Sequence, residues 1–428
     1  MIPFTDLKTP LSVENAREIV LSQLKTMPPE RVTVIESYGR ILAQDVVSDI
    51  DISPFDNSAM DGFAVRFEDF EAARPTDETP LTLPIIGIIA AGEVFERSLQ
   101  RGEALRIMTG APLPDGADTV VKIEDTTVLG ESTEGPEGSA VVFFKMPKPK
   151  ANIRLKGEEA HKGDVLLHRG ERISAAGTGL LAATGNAELL VFKRPRVAII
   201  STGSELVSID DIPGPGQIRN SNSYSIAAAV IESGGIPFIR PSVEDKLDVL
   251  SDALSQAVAD FDFVITSGGA ADGDFDFITT AVKELGELFF CKVNMRPGKS
   301  QIFGLIDGTP VFGLPGNPGA ASVGFEILIR PALRLMQGLA AIGRPVTKAS
   351  LVREVKKQKD ARRAYLRSRL QRDEDGAYWV TVDANQSSAF LGALNRSNCL
   401  AIIPEGQEAQ AAGTMVDCLR LDMEEETA

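Results

Sequence analysis

Ile265-Thr266-Ser267-Gly268-Gly269 and, further along, Gly313-Leu314-Pro315-Gly316-Asn317-Pro318 are the stretches on which the fold turns. Each closes a short apolar run (261–265 and 310–314) that reads as a buried strand, and each precedes a helix-like stretch. A strand, a tight glycine loop and a helix start expose free backbone N–H groups and a positive dipole end, which together hold phosphate-like oxyanions. Asp272, Asp274 and Asp276 follow the first loop. Beside a bound phosphate they call for a divalent cation, because like charges otherwise repel.

Outward from these loops, residues 196–307 alternate strand and helix. Strands are expected at 197–200, 236–240 and 261–265. Helices are expected at 224–232, stopped by Gly234-Gly235, along the stripe Leu247, Leu250, Leu254 and Val258, and at 277–285, stopped by Gly286. A final helix is expected at 319–335. This alternation predicts a parallel, doubly wound sheet with its ligand at the carboxyl ends of the strands. Before it, Ser12 caps a helix with Val13, Ala16, Val20 and Leu24 at helical spacing. Short β-like runs (81–89, 104–108, 119–123, 140–144) between turns read as a β insertion, and a helix is expected at 174–184. After it, β-like runs (377–382, 400–403, 414–420) read as a small β domain. The division expected is 1–52 with 147–186, then 53–146, 187–338 and 339–428: an α/β multidomain chain.

The length of 428 residues fits several domains. Lys plus Arg number 44 against 60 Asp plus Glu, a net charge of −16, which disfavours a nucleic-acid or anionic-membrane binder. An anionic substrate then needs local cations, backbone amides or a metal. Three cysteines without CxxC spacing and two histidines, His161 and His168, argue against zinc, iron–sulfur or histidine-centred chemistry. No signal-peptide pattern and no apolar run near ~18 residues are seen, so the expectation is a cytoplasmic protein.

Six loops carry candidate chemistry, each with a plain structural reading beside it. In Pro54-Phe55-Asp56-Asn57-Ser58-Ala59-Met60-Asp61-Gly62 and in Arg106-Ile107-Met108-Thr109-Gly110, the plain reading is a capped turn. In Ser201-Thr202-Gly203-Ser204-Glu205, Glu205 orients a metal or simply favours a helix start. The Ser267-Gly268-Gly269 acids suit Mg²⁺ or form a solvated face. Arg296 and Lys299 in Met295-Arg296-Pro297-Gly298-Lys299 grip an oxyanion or decorate a turn. Pro315, Gly316, Asn317 and Pro318 fix a rigid loop for ligand approach or for packing alone.

In this order the six loops resemble the molybdopterin molybdenumtransferase family, the molybdenum insertases that include the gephyrin C-terminal domain. The strings DNSAMDG, IMTGAP, STGSE and GLPGNP carry the likeness, which spans nearly the whole chain. The resemblance implies a doubly wound molybdopterin-binding domain and an enzyme that takes adenylylated molybdopterin and molybdate. It implies divalent-metal-assisted hydrolysis of the pyrophosphate link, metal insertion and AMP release. It places Asp61 and Thr109 at the site, with Glu159, Glu205, Asp245, Asp274 and Asp276 as acids around Mg²⁺ and molybdate. Lys299 joins Asp61, Thr109, Glu205 and Asp276 as catalytic, while Arg296, Gly268, Gly269, Pro315, Gly316, Asn317 and Pro318 become substrate-binding, with Arg363 and Ser388 more loosely aligned. It also implies a homodimer whose site joins one subunit's doubly wound domain to the other's β insertion, and as partners the upstream adenylyltransferase and downstream molybdoenzymes.

Two other functions compete: a molybdopterin adenylyltransferase, and a non-catalytic cofactor scaffold or carrier. The chain departs from the family at four places, one of them Glu159, where an Asp is more usual. Ala270-Ala271-Asp272-Gly273 stands for a Val-Ser-Val-Gly-like run, Gly319-Ala320-Ala321 for a Val-Ser-Ala-like run, and Ser300 for a usual Pro.

Overall fold

Buried apolar runs in the middle of the chain assemble into one six-stranded sheet in the computed structural model, which describes residues 9–130, 139–269, 277–356, 361–407 and 409–423. Strands β1 (Arg196–Ser201), β2 (Ile236–Ile239), β3 (Phe263–Ser267), β4 (Glu287–Lys292), β5 (Ser300–Ile306) and β6 (Thr309–Leu314) lie in the order β2-β1-β3-β6-β5-β4. The first four positions are parallel, while β5 and β4 add antiparallel. The sheet is therefore mixed, where the alternation of strand and helix predicts an all-parallel one. The cause is a two-residue hairpin: Asp307 (φ 50°) and Gly308 (φ 80°) join β5 to β6, the Asp-Gly chemistry that a tight turn between twisted strands requires.

Helix α1 (Asn222–Glu232) covers one face of the sheet, and α2 (Leu247–Asp260) and α3 (Phe277–Leu285) cover the other. The last helical stretch is α4 (Pro318–Gly324), a π-helical turn (Phe325–Ile329) and α5 (Arg330–Met336), not the uninterrupted helix expected at 319–335. Pro331 has no N–H to donate, and the ladder widens just before it. The N-terminal helix (Val13–Ser22) is capped as expected, with Ser12 Oγ accepting from the Asn15 N–H at 3.1 Å. Val13, Ala16, Ile19 and Val20 bury into the core of the doubly wound sheet beside α1 and α5, since an apolar stripe needs an apolar face to cover.

The insertion forms its own sheet, in the order Thr119–Lys122, Gly62–Val65, Ala104–Ile107, Leu81–Ile89, Ala140–Phe143, Thr126–Leu129. Phe63, Phe70 and Phe143 meet edge-on at its centre. Near the C-terminus a long strand not foreseen in the sequence, β7 (Arg363–Arg372), pairs on both edges. The ring of Arg363–Arg372, Tyr378–Val382, Val346–Leu351, Met415–Arg420 and Cys399–Ile403 closes into a small barrel. Arg344 ties this barrel's end to the doubly wound sheet. It pairs with Glu326 (2.9 Å) and Glu232 (2.6 Å) and donates to the Leu421 and Met423 carbonyls. Cys291, Cys399 and Cys418 are buried free thiols. Among the described residues no helix is long and apolar enough to cross a membrane.

Candidate active site

The strand order reverses between β1 and β3, the point where doubly wound sheets open a crevice at their carboxyl ends. Three loops meet there. Thr202, after β1, donates its N–H to the Ser267 carbonyl at 2.9 Å, and Gly268 donates to the Leu314 carbonyl at 3.2 Å. A Cβ on Gly269 would lie 2.8 Å from Thr202 Oγ1, and one on Gly316 would touch Gly268 Cα at 3.5 Å. Glycine at 268 and 269 is what lets the first two loops abut, since a Cβ on Gly268 would lie 2.2 Å from the Thr202 carbonyl oxygen.

Asn222, at the start of α1, locks two of them together. Its Nδ2 donates to Ser267 Oγ and to the Gly316 carbonyl, each at 2.8 Å. Sequence reasoning passed over Asn222, although the run Asn220-Ser221-Asn222-Ser223 ahead of a helix was the available signal. Thr202 Oγ1, Thr266 Oγ1 and Asn222 Oδ1 are buried around this junction without a partner among the described residues. Asn222→Ala leaves two acceptors without their donor. We expect a loss of roughly 1–3 kcal/mol, read as a fall in urea midpoint with an unchanged slope.

Glu205 folds back over Gly203. Asp245 follows Val243, which bridges to Thr202, so both exposed carboxylates stand at this carboxyl-end face. Asp272, Asp274 and Asp276 lie outside the described residues. Among the described residues no three His, Cys, Asp or Glu side chains cluster tightly enough to cage a metal. Mg²⁺ needs no such cage, because it takes one or two carboxylates together with substrate phosphate, and Glu205 with Asp245 fits that donor set.

A second feature adjoins the cradle. A cavity of about 470 Å³ is lined by Arg296, Lys299, Ser300, Pro315, Asn317 and Ala320, and from the barrel side by Arg362, Tyr365, Gln386, Ser387 and Ser388. The turn bearing the cations is built into both bodies. Met295–Arg296 adds to β7 as a parallel strand, while the buried Gln301 amide donates to the Gly298 carbonyl at 3.1 Å. Loop 315–317 faces both features, since Gly316 abuts Gly268 while Pro315 and Asn317 line the cavity.

Not every expected residue gathers here. Arg363 is turned away, its guanidinium taken by Glu14 and by Glu405 (3.1 Å). Burial opposes its charge, but the hydrogen bonds to Glu14 and Tyr365 raise its pKa beyond the ordinary value. The cavity-lining arginine is its neighbour Arg362, which lies one residue before β7 begins. Glu159 is an exposed turn residue beside the Ile52–Ala160 bridge.

Asp61 and Thr109 form their own pair at the end of the insertion sheet, where the Gly62 and Ile107 strands run in register. Asp61 Oδ1 accepts from the Thr109 N–H (2.7 Å) and hydroxyl (2.8 Å). The Thr109 N–H first, then its hydroxyl, holds the Asp61 carboxyl below its usual range. The buried Arg106, which was not singled out from the sequence, donates to the Gly62 carbonyl at 2.9 Å and stacks on Phe63, bracing the loop.

Residues 11–185 match the MoeA N-terminal region (domain I and II), residues 198–335 a probable molybdopterin binding domain, and residues 348–421 the MoeA C-terminal region (domain IV). Over 416 residues, 96% of this chain and 96% of the relative, the sequence is 36% identical to the molybdopterin molybdenumtransferase of Staphylococcus aureus (strain COL). The chain belongs to the molybdopterin molybdenumtransferase family. The Staphylococcus epidermidis molybdopterin molybdenumtransferase is 35% identical over 413 residues, 96% of each chain. The crystal structure of a molybdopterin biosynthesis MoeA protein from Pyrococcus horikoshii superposes with a TM-score of 0.81 at 33% identity, over 97% of this chain and 100% of that one. Like other molybdopterin molybdenumtransferases, the protein is an enzyme of molybdenum cofactor biosynthesis.

Proposed function

We propose that the protein takes adenylylated molybdopterin and molybdate, cleaves the pyrophosphate link, places molybdenum on the dithiolene and releases AMP. The observation that carries this reading is the shared loop 315–317, which makes one wall of a cation-lined cavity and one edge of a glycine cradle. A phosphate ester in the cradle and a tetrahedral oxyanion in the cavity would lie side by side. Breaking a pyrophosphate requires alignment and charge neutralisation more than a strong base. The Gly269 amide and the cations Arg296, Lys299 and Arg362 supply those. Mg²⁺, held by Glu205 and Asp245 with the acids at 272–276, would neutralise phosphate charge. We further infer a homodimer in which the Asp61–Thr109 pair of one subunit completes the other's site, with the upstream adenylyltransferase and downstream molybdoenzymes as partners, in the cytoplasm.

The test compares Arg362→Ala with Arg363→Ala. Losing a charge-assisted contact costs roughly 1.5–3 kcal/mol, so Arg362→Ala should weaken molybdate binding in equilibrium dialysis by about 10- to 150-fold and depress molybdate-dependent AMP release. Arg363→Ala should instead lower thermal stability, through the lost Glu14 and Glu405 pairs, with molybdate affinity intact. The reverse pattern would remove the cavity from the reading.

A further inference from the structure

Gly319 stands in a helix without needing a glycine's backbone freedom, because its φ is not in the left-handed region. A helical glycine costs about 1 kcal/mol against alanine, so its place here is explained by space. Its N–H donates to the Ser388 carbonyl at 2.7 Å. A Cβ there would lie 2.9 Å from Arg367 Nη1, 3.0 Å from the Ser388 carbonyl oxygen and 3.3 Å from Ser388 Cα.

Arg367 is fully buried and organises the loop that seats on Gly319. Its main-chain N–H and Nε donate to Gln386 Oε1 (3.1 and 3.3 Å), and its Nη1 to the Ser387 (2.8 Å) and Phe390 (3.2 Å) carbonyls. Gln386 Nε2 returns to the Arg367 and Asp383 carbonyls, each at 2.9 Å. This same loop delivers Gln386, Ser387 and Ser388 to the cavity, opposite Pro315, Asn317 and Ala320.

We propose that Gly319 is a positioning residue for the oxyanion cavity: lacking a side chain, it lets the Arg367-braced loop 386–390 dock on the start of α4 and so fixes the barrel-side wall against the 315–317 wall. This rests on the reading of the cavity as an oxyanion site. It also gives a reason for one departure from the family, since a valine at 319 would hold the loop away.

The experiment uses full-length wild type, Gly319→Val and Gly319→Ala, with Lys299→Ala as the binding control. Two readouts are taken: hydrogen exchange of the amides of 387–390 and of residue 319, and molybdate affinity by equilibrium dialysis together with KM and kcat. We expect Gly319→Val to speed exchange in this segment and to raise the molybdate Kd and KM roughly tenfold, with kcat largely kept, as a displaced binding wall does. Gly319→Ala, whose single methyl group meets Arg367 Nη1, the Ser388 carbonyl oxygen and Ser388 Cα without valine's added bulk, should fall between and serves if the valine variant does not fold. Unchanged exchange and unchanged Kd would overturn the proposal. If wild type and Lys299→Ala bind molybdate equally poorly, the cavity reading fails, and exchange alone then decides whether Gly319 seats the loop.

Discussion

A one-to-one mixture of Asp61→Ala and Lys299→Ala chains is expected to recover about a quarter of wild-type AMP release, although each variant alone should fall by on the order of a hundredfold. Asp61 belongs to the insertion sheet, whose buried clusters share no residue with those holding the glycine cradle and the cation cavity. If one subunit's Asp61–Thr109 pair completes the other's site, each homogeneous variant has two broken sites. Random assembly makes half of the dimers mixed, and each mixed dimer has one intact site and one doubly broken one. Half of the dimers with half of their sites intact gives the quarter. Co-expression with two different affinity tags isolates the mixed dimer and should raise recovery to about a half. A tagged mixed dimer with no more activity than its parents would place Asp61 and Lys299 in the same subunit's site, or Asp61 outside it. Because Thr109 holds the Asp61 carboxyl below its usual range, its contribution should persist at acidities where ordinary carboxylates begin to protonate.

The central loops were legible because glycine and proline mark backbone positions that other residues avoid, and because fully buried strands read as uninterrupted apolar runs. What escaped has specific causes. Gly304 interrupts the apolar run of β5 and reads as a breaker, yet it is there because a Cβ would lie 2.3 Å from Val282 Cγ1 and 2.5 Å from the Glu287 carbonyl oxygen. The Asp307-Gly308 hairpin is a short-range signal beside the stronger strand–helix rhythm, which hides the two antiparallel strands β5 and β4. Strand β7 carries Arg363, Arg367, Arg369 and Arg372, and so many cations hide a strand whose polar groups pair internally. Family-level similarity places a residue only along the chain: Arg363 opens β7 and pairs with Glu14 and Glu405, while Arg362, one residue before the strand, lines the cavity. Arg367 and Asn222 act through hydrogen bonds to backbone carbonyls distant in sequence, and nothing local announces such partners.

Gly268→Ala should be the most damaging single methyl group in the cradle. The residue sits at φ +98°, where an alanine carries a steric penalty of roughly 1–2 kcal/mol. The added Cβ would also lie 2.2 Å from the Thr202 carbonyl oxygen and 3.0 Å from Thr202 Oγ1. Neither neighbour can yield cheaply: the overlap is with backbone, and Thr202 is held by its own N–H bond to Ser267. Relief requires the β1 and β3 loops to part, which also loosens the Gly268 bond to Leu314 and the Asn222 bridge to Gly316. We expect a total cost of roughly 3 kcal/mol or more, in the range of buried overpacking with backbone strain, and AMP release reduced to background. Gly316→Ala is the control for stability. Its backbone is not in the left-handed region and its Cβ would meet only Gly268 Cα at 3.5 Å, ordinary van der Waals contact, so its unfolding midpoint should barely move. Calorimetry of the two variants separates the explanations. If Gly268→Ala unfolds like wild type, the three loops are not held in the close contact on which the cradle depends. If both variants lose stability alike, the penalty comes from lost glycine flexibility in general and not from the overlap with Thr202.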